Sequence, residues 1–292
     1  MVFGRVGTAM VTPFDVNGNI DFDRATDLVN YLLDNGTDSL IVAGTTGESP
    51  TLTTEEKVAL YRHVVEVVNG RVPVVAGTGS NNTRASIELT KKAEKAGVTA
   101  VMLVAPYYNK PDQDGLYEHF KAIATETNLP VMIYNIPGRC SINISVDTII
   151  KLSKVKNIVA VKEASGDLNA MAEIISLTDD DFYLYTGDDS NTLPVLSIGG
   201  RGVISVASHI IGNEMQELIS LFENGDVKKA AQLHRRLLPI MKGLFIGPNP
   251  VPLKYALQAK GIDTGSVRLP LVPLQKEKQL IIDDLLKKIL ND

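Results

Sequence analysis

Ile158-Val159-Ala160-Val161-Lys162-Glu163-Ala164-Ser165-Gly166 is the stretch that decides the fold. Four apolar residues in succession read as a strand buried on both faces, as in a parallel sheet. A lysine then stands where the strand ends, ahead of small residues and a glycine. Lysine is among the residues least often buried, because stripping water from an ammonium is expensive. Desolvation favours the neutral amine, a nucleophile able to form a Schiff base with a ketone or aldehyde. The plainer reading is a lysine that closes the strand and reaches into solvent. What else gathers at that end of the sheet decides between them.

Outward from this stretch the same pattern repeats. β-type runs are read at 7–12, 39–43, 73–77, 100–105, 130–135, 158–162, 182–187 and 202–205. Helical segments follow them at 21–35, 53–68, 82–96, 113–127, 145–153, 167–177, 190–198 and 210–224. Asn35-Gly36 and Gly97 are good C-terminal stops. Thr53 and Glu56 fit a capping box, and Val58, Tyr61, Val65 and Val68 share a face at helical spacing. Asp189 reads as the N-cap of 190–198.

Eight strands, each followed by a helix, imply parallel pairing with right-handed crossovers. An open doubly wound sheet is the alternative, but no strand here opens a GxGxxG turn. After Asn224-Gly225-Asp226 the alternation stops and three helices remain, at 227–242, 251–260 and 276–290, the second after the Pro248-Asn249-Pro250 break. The reading is α/β: a (β/α)8 TIM barrel over 1–225 that carries the active site, with a C-terminal helical extension, 226–292, packed on it. A barrel of this kind takes about 250 residues.

The formal charge of -5 argues against a nucleic-acid partner, since phosphate binding wants a basic face. A single cysteine, Cys140, excludes an intrachain disulfide and fits a reducing compartment. Met1-Val2-Phe3-Gly4-Arg5 lacks the apolar run of a signal peptide. The longest apolar run, 100–105, is far short of the roughly 20 residues that cross a bilayer. The expectation is a soluble cytoplasmic protein with no membrane partner.

In such barrels chemistry sits in the loops after the strands, and the unusual residues fall there. Gly44-Thr45-Thr46-Gly47-Glu48-Ser49 follows the second strand, and its backbone N–H groups and hydroxyls can hold a carboxylate. An ordinary tight turn would look similar. Pro106-Tyr107-Tyr108-Asn109-Lys110-Pro111 follows the fourth strand, and adjacent tyrosines in an extended segment cannot face the same way. Tyr134 ends the fifth strand, one strand from Lys162; a phenol and an amine have similar ordinary pKa values, so proton transfer between them is nearly balanced. A core tyrosine is the plainer reading. Arg139 suits a carboxylate-bearing substrate, or a surface ion pair. The seventh strand ends in Gly187-Asp188-Asp189 and the eighth in Ser205-Val206-Ala207-Ser208. His63, His119, His209 and His234 show no metal-ligand spacing, and no histidine in these loops could serve Cys140 as a base.

Gly44-Thr45-Thr46-Gly47-Glu48, Pro106-Tyr107-Tyr108-Asn109, Tyr134-Asn135-Ile136-Pro137-Gly138-Arg139 and Val161-Lys162-Glu163-Ala164 together resemble the 4-hydroxy-tetrahydrodipicolinate synthase (dihydrodipicolinate synthase) family. These are class I aldolase-type lyases of the pyruvate-dependent group. The resemblance runs in register from Gly4 to about Pro273. It implies condensation of pyruvate with L-aspartate 4-semialdehyde on the diaminopimelate and lysine pathway. Lys162 matches the Schiff-base lysine and Tyr134 the proton donor and acceptor. Thr45 and Tyr108 match a proton relay to which a neighbouring subunit supplies the second residue. Thr46, Ile204 and Gly187 match pyruvate-site residues, Thr46 at the carboxylate, and Arg139 the residue that engages the aldehyde's carboxylate. It also implies a homo-oligomer, at least a dimer and commonly a dimer of dimers. No cofactor and no metal are expected, because the covalent imine is itself the electron sink.

One departure concerns feedback by lysine. Ser49, Asn81 and Tyr107 match the lysine-binding residues of inhibited members, but Thr54, Lys57 and Ala85 stand where two histidines and a glutamate are expected. Losing the acidic partner of lysine's ammonium predicts weak or absent inhibition. Two alternatives stay open: an N-acetylneuraminate lyase or 2-keto-3-deoxy sugar-acid aldolase of the same superfamily, and a catalytically silent barrel acting as a binding protein.

Overall fold

The structure is a computed structural model that describes residues 3–290. Eight strands close a barrel in chain order: β1 (Val6–Ala9), β2 (Ser39–Val42), β3 (Val74–Gly77), β4 (Ala100–Val104), β5 (Val131–Asn135), β6 (Ile158–Glu163), β7 (Tyr183–Thr186) and β8 (Gly202–Ser205). Every neighbouring pair is parallel, and β1 pairs with β8 to complete the ring. The sequence runs stand, with their ends shifted by up to three residues. Burial on both faces explains the apolar runs: helices cover the outside and side chains fill the inside.

Period-two alternation divides β6 between those two faces. Val161 joins the outer core, whereas Ala160 belongs to an interior cluster with Ala9, Ile41, Met102, Tyr134 and Ile204. Lys162, two residues on from Ala160, therefore projects into the barrel. Its register partner on β5 is Tyr134.

The helices are α1 (Phe22–Asp34), α2 (Thr54–Val68), α3 (Thr83–Lys95), α4 (Gln113–Ala124), α5 (Pro137–Cys140), α6 (Val146–Ser153), α7 (Leu168–Leu177), α8 (Thr192–Ser197), α9 (Ser208–Glu223), α10 (Val227–Gly243), α11 (Val251–Ala259) and α12 (Lys276–Leu290). The Thr53–Glu56 capping box is present, with both reciprocal hydrogen bonds formed. The buried face of α2 is Leu60, Tyr61, Val64 and Val68 rather than the stripe through Val58 and Val65. The Tyr61 hydroxyl donates to the Gly77 carbonyl at 2.8 Å and fixes the helix's rotation against β3.

Two further differences lie near the strand ends. The segment expected as one helix at 190–198 is a short 3-10 turn, Asp189–Asn191, leading into α8. Asp188, not Asp189, caps it by accepting from the Ser190 N–H at 2.9 Å. Short α5, with proline in its first turn, was not anticipated as a helix and carries Arg139. Among the described residues no helix is long and apolar enough to cross a membrane.

Candidate active site

Lys162 is 4% exposed and its amine lies 4.2 Å from the centroid of the Tyr134 ring. Burial lowers its pKa to about 8, the Arg139 guanidinium acts in the same direction, and the Asp189 carboxylate opposes. The neighbouring Glu163 faces away from the lumen. Its carboxylate accepts from Asn135 Nδ2 at 2.8 Å and from the Ser165 N–H at 2.7 Å. Burial still holds that carboxyl above the usual range.

Gly187, at the end of β7, lies along the lysine's aliphatic shaft. A Cβ there would approach Lys162 Cε and the Ala164 methyl to 2.8 Å each. Only glycine leaves room for the extended lysine at this point. Ile204 of β8 is fully buried in the interior cluster that also contains Tyr134.

Tyr134 is itself 3% exposed, with the Thr45 side chain near its hydroxyl. Desolvation is the larger influence and pushes the phenol up to about 12, against the pull of Arg139 and Thr45. Thr45 and Thr46 lie on the loop after β2. There Ala43 and Glu48 both hold left-handed backbone, with φ of 52° and 56°. Such strain persists only where surrounding contacts over-determine it. Thr46 is buried and accepts from Asn249 Nδ2 at 3.0 Å.

A cavity of about 240 Å³ opens beside these groups, lined by Thr45, Tyr134 and Arg139 and, further out, by Lys57, Ser49 and Tyr107. Among the described residues its charged lining consists of two cations, Lys57 and Arg139, and no carboxylate. Arg139 is solvent-exposed, as befits a group at the mouth. Cys140 also lines it, but its thiol donates to the Ala105 carbonyl at 3.3 Å and burial pushes it up to about 11. That thiol is held unreactive.

The structure thus brings together Lys162, Tyr134, Thr45, Gly187 and Arg139, with Ile204 in the interior cluster of Tyr134, whereas Thr46, next to Thr45 in the chain, is not among the residues lining the cavity. Tyr108 is not among them. It has φ of 75°, is 90% exposed and turns away from its own chain's cavity, whereas Tyr107 faces the cavity. The two adjacent rings diverge, although the segment is not extended as the alternation argument assumed.

Two residues here escaped the sequence reading. Asp189 is 1% exposed, and its carboxylate accepts from Ser205 Oγ and from the Val206 and Ala207 N–H groups. Asn249 reaches Thr46 from the far end of the chain. The Pro248-Asn249-Pro250 break was its one signal, and it announced a helix boundary rather than a contact.

A closed β/α barrel that holds a desolvated lysine beside a buried tyrosine, at the carboxyl ends of its strands, fits the class of barrel lyases. Comparison with known proteins narrows it. The dihydrodipicolinate synthetase family matches residues 2–289. A 4-hydroxy-tetrahydrodipicolinate synthase of Bacillus subtilis is 61% identical over 290 residues, covering 99% of this chain and 100% of that one. The crystal structure of a dihydrodipicolinate synthase from Bacillus anthracis superposes with a TM-score of 0.97 at 62% identity, over 98% of this chain and 99% of that one. A lysine-bound synthase from Cyanidioschyzon merolae gives a TM-score of 0.97 at 47% identity, over 98% of each chain. The chain belongs to the dihydrodipicolinate synthetase family.

Proposed function

We propose that this protein is a 4-hydroxy-tetrahydrodipicolinate synthase that condenses pyruvate with L-aspartate 4-semialdehyde through an imine on Lys162. The observation that carries the reading is the near-dry amine of Lys162, 4.2 Å from the Tyr134 ring. The neutral amine attacks the keto carbon of pyruvate and water leaves. The resulting iminium draws electrons from the methyl group, which gives up a proton to form an enamine. That carbon attacks the aldehyde of the second substrate. The second substrate's amine then adds to the imine carbon and displaces Lys162, closing the ring. No external cofactor enters these steps.

Tyr134 hands protons to and from the reacting atoms, and the Thr45 side chain near its hydroxyl supports a relay. Tyr108 completes that relay in a neighbouring subunit, a role its 90% exposure supports. The protein therefore works as at least a dimer, with a dimer of dimers as the fuller assembly, in the cytoplasm. Thr46 holds the pyruvate carboxylate beside Ile204 and Gly187, and Arg139 meets the carboxylate of the aldehyde substrate. The half-buried Lys57 in the outer cavity would repel a lysine ammonium, which supports insensitivity to lysine.

The test is turnover of pyruvate with L-aspartate 4-semialdehyde beside cleavage of N-acetylneuraminate. Turnover of the first and none of the second is expected. The reverse would assign the protein to the sugar-acid lyases. Inactivity in both, with no imine, would favour the silent barrel.

A further inference from the structure

We propose that Glu48 and Lys254 are positioning residues: a buried ion pair through which the C-terminal segment sets the loop that receives the keto acid's carboxylate. The inference rests on the pyruvate reading above and extends it to residues outside the cavity.

Glu48 lies two residues after Thr46 in the loop following β2, and Lys254 lies on α11. Their side chains are 1% and 4% exposed, and Lys254 Nζ stands 2.8 Å from Glu48 Oε1. The other carboxylate oxygen accepts from the Arg268 N–H at 2.9 Å. Lys254 also donates to the Ser266 carbonyl at 2.8 Å and sits 4.3 Å from the Phe14 ring centroid. Arg268 lies 4.4 Å from the same ring and continues outward to Glu56 and to the Thr51 carbonyl, at the start of α2. Asn249, just before α11, bonds to Thr46 itself. Two separate contacts therefore run from the C-terminal segment to the loop, one at the hydroxyl proposed to meet substrate and one two residues beyond it.

An ion pair this dry gains little net stability over an apolar pair of the same shape, because both charges have lost water. Its established use is to specify one arrangement among several. Here the arrangement is demanding: Glu48 holds left-handed backbone without being glycine. Pulling its carboxylate to one point fixes that conformation and, with it, the direction in which Thr45 and Thr46 present their hydroxyls. Small displacements of groups that orient a substrate have large effects on reactivity. The pair touches no substrate and acts through the two threonines.

The experiment uses the full-length protein with the double substitution Glu48→Gln/Lys254→Met, which removes both charges at nearly constant shape. Arg268→Gln is made in parallel and leaves the buried pair in place. Borohydride trapping at graded pyruvate reads imine formation, and steady-state kinetics reads each substrate's KM. The unsubstituted protein must first give an adduct at Lys162; its absence there overturns the pyruvate reading itself. The double variant is expected to keep its melting temperature within a few degrees. Its pyruvate KM and half-trapping concentration should rise at least about tenfold, and the aldehyde KM should move less than about threefold. Arg268→Gln should shift the same quantities in the same direction by a smaller factor. A double variant with parental pyruvate KM, or with both KM values raised in step with lost thermal stability, would overturn the proposal. Should the double variant not fold, the isosteric single substitution Glu48→Gln is read in its place, and an unchanged pyruvate KM there overturns the proposal.

Discussion

Lys162 and Tyr134 are register partners on adjacent strands, and the lysine nitrogen rests 4.2 Å from the tyrosine ring centroid. Burial acts on the two groups in opposite senses, lowering the amine to about 8 and raising the phenol to about 12. Near neutral pH a useful fraction of the amine is free while the phenol keeps its proton. One environment thus favours the neutral form of both groups, the free amine and the protonated phenol.

The pH dependence of imine formation follows from this. Only the neutral amine attacks, so the rate of borohydride-trappable imine formation should rise about tenfold per pH unit in acid and level near pH 8. Arg139 lowers the lysine's pKa and Asp189 raises it. Arg139→Gln should therefore move the inflection to higher pH, and Asp189→Asn to lower pH. An inflection near the ordinary lysine value would contradict the desolvated amine.

Tyr134→Phe keeps the ring against Lys162 and removes the hydroxyl near Thr45. Turnover should fall by roughly 10²–10⁴-fold, the usual loss for a general acid–base group, while trapping of pyruvate at Lys162 persists. Turnover within threefold of the parent would remove the phenol from the proton path.

Gly187→Ala introduces a methyl 2.8 Å from Lys162 Cε and from Ala164 Cβ. Overpacking of this kind costs about 1–3 kcal/mol of stability. The lysine shaft must also shift, so pyruvate trapping should slow more than thermal stability alone would dictate. Unaltered trapping would mean that the shaft does not depend on this contact.

Tyr108 and Tyr134 are assigned to the same relay but to different subunits. Tyr108→Phe and Tyr134→Phe subunits, each defective alone, should regain activity when unfolded and reassembled together. One of the two sites in a hybrid pair would then carry both intact phenols. No recovery on mixing would show that Tyr108 serves no neighbouring site.

Lysine should leave the steady-state rate unchanged at sub-millimolar concentration. Lys57 is half-buried in the outer cavity with Ser49 and Tyr107 nearby, burial lowers its pKa, and no ion pair among the described residues offsets that cost. The similar synthase solved with lysine bound is the natural positive control. Strong inhibition of this protein would mean that its cavity accommodates a second ammonium.

The barrel was legible because its eight repeats carry their own local signals: an apolar run and then a helical segment, capped by a side chain in α1, α2, α3, α4, α6 and α7. Lys162 and Tyr134 were legible for a related reason, since polar groups at the ends of buried strands stand out against apolar surroundings. Asp189 was not. Two adjacent aspartates look alike in sequence, and only packing reveals that Asp188 caps a turn while Asp189 is buried beneath β8. The face of α2 was set by a hydroxyl–carbonyl bond that periodicity does not encode. Asn249 and Lys254 were invisible for a simpler reason. Asn249 lies 203 residues from the Thr46 it touches, and no local pattern links them. The C-terminal helices were expected merely to pack on the barrel, yet they reach the loop that bears both threonines.

Reduction with borohydride in the presence of pyruvate, followed by peptide mapping, tests the central claim most directly. The account predicts a carboxyethyl group on the nitrogen of Lys162, at one per chain, and none in Lys162→Met. An unmodified Lys162, or an adduct spread over surface lysines and unaffected by that substitution, would contradict it.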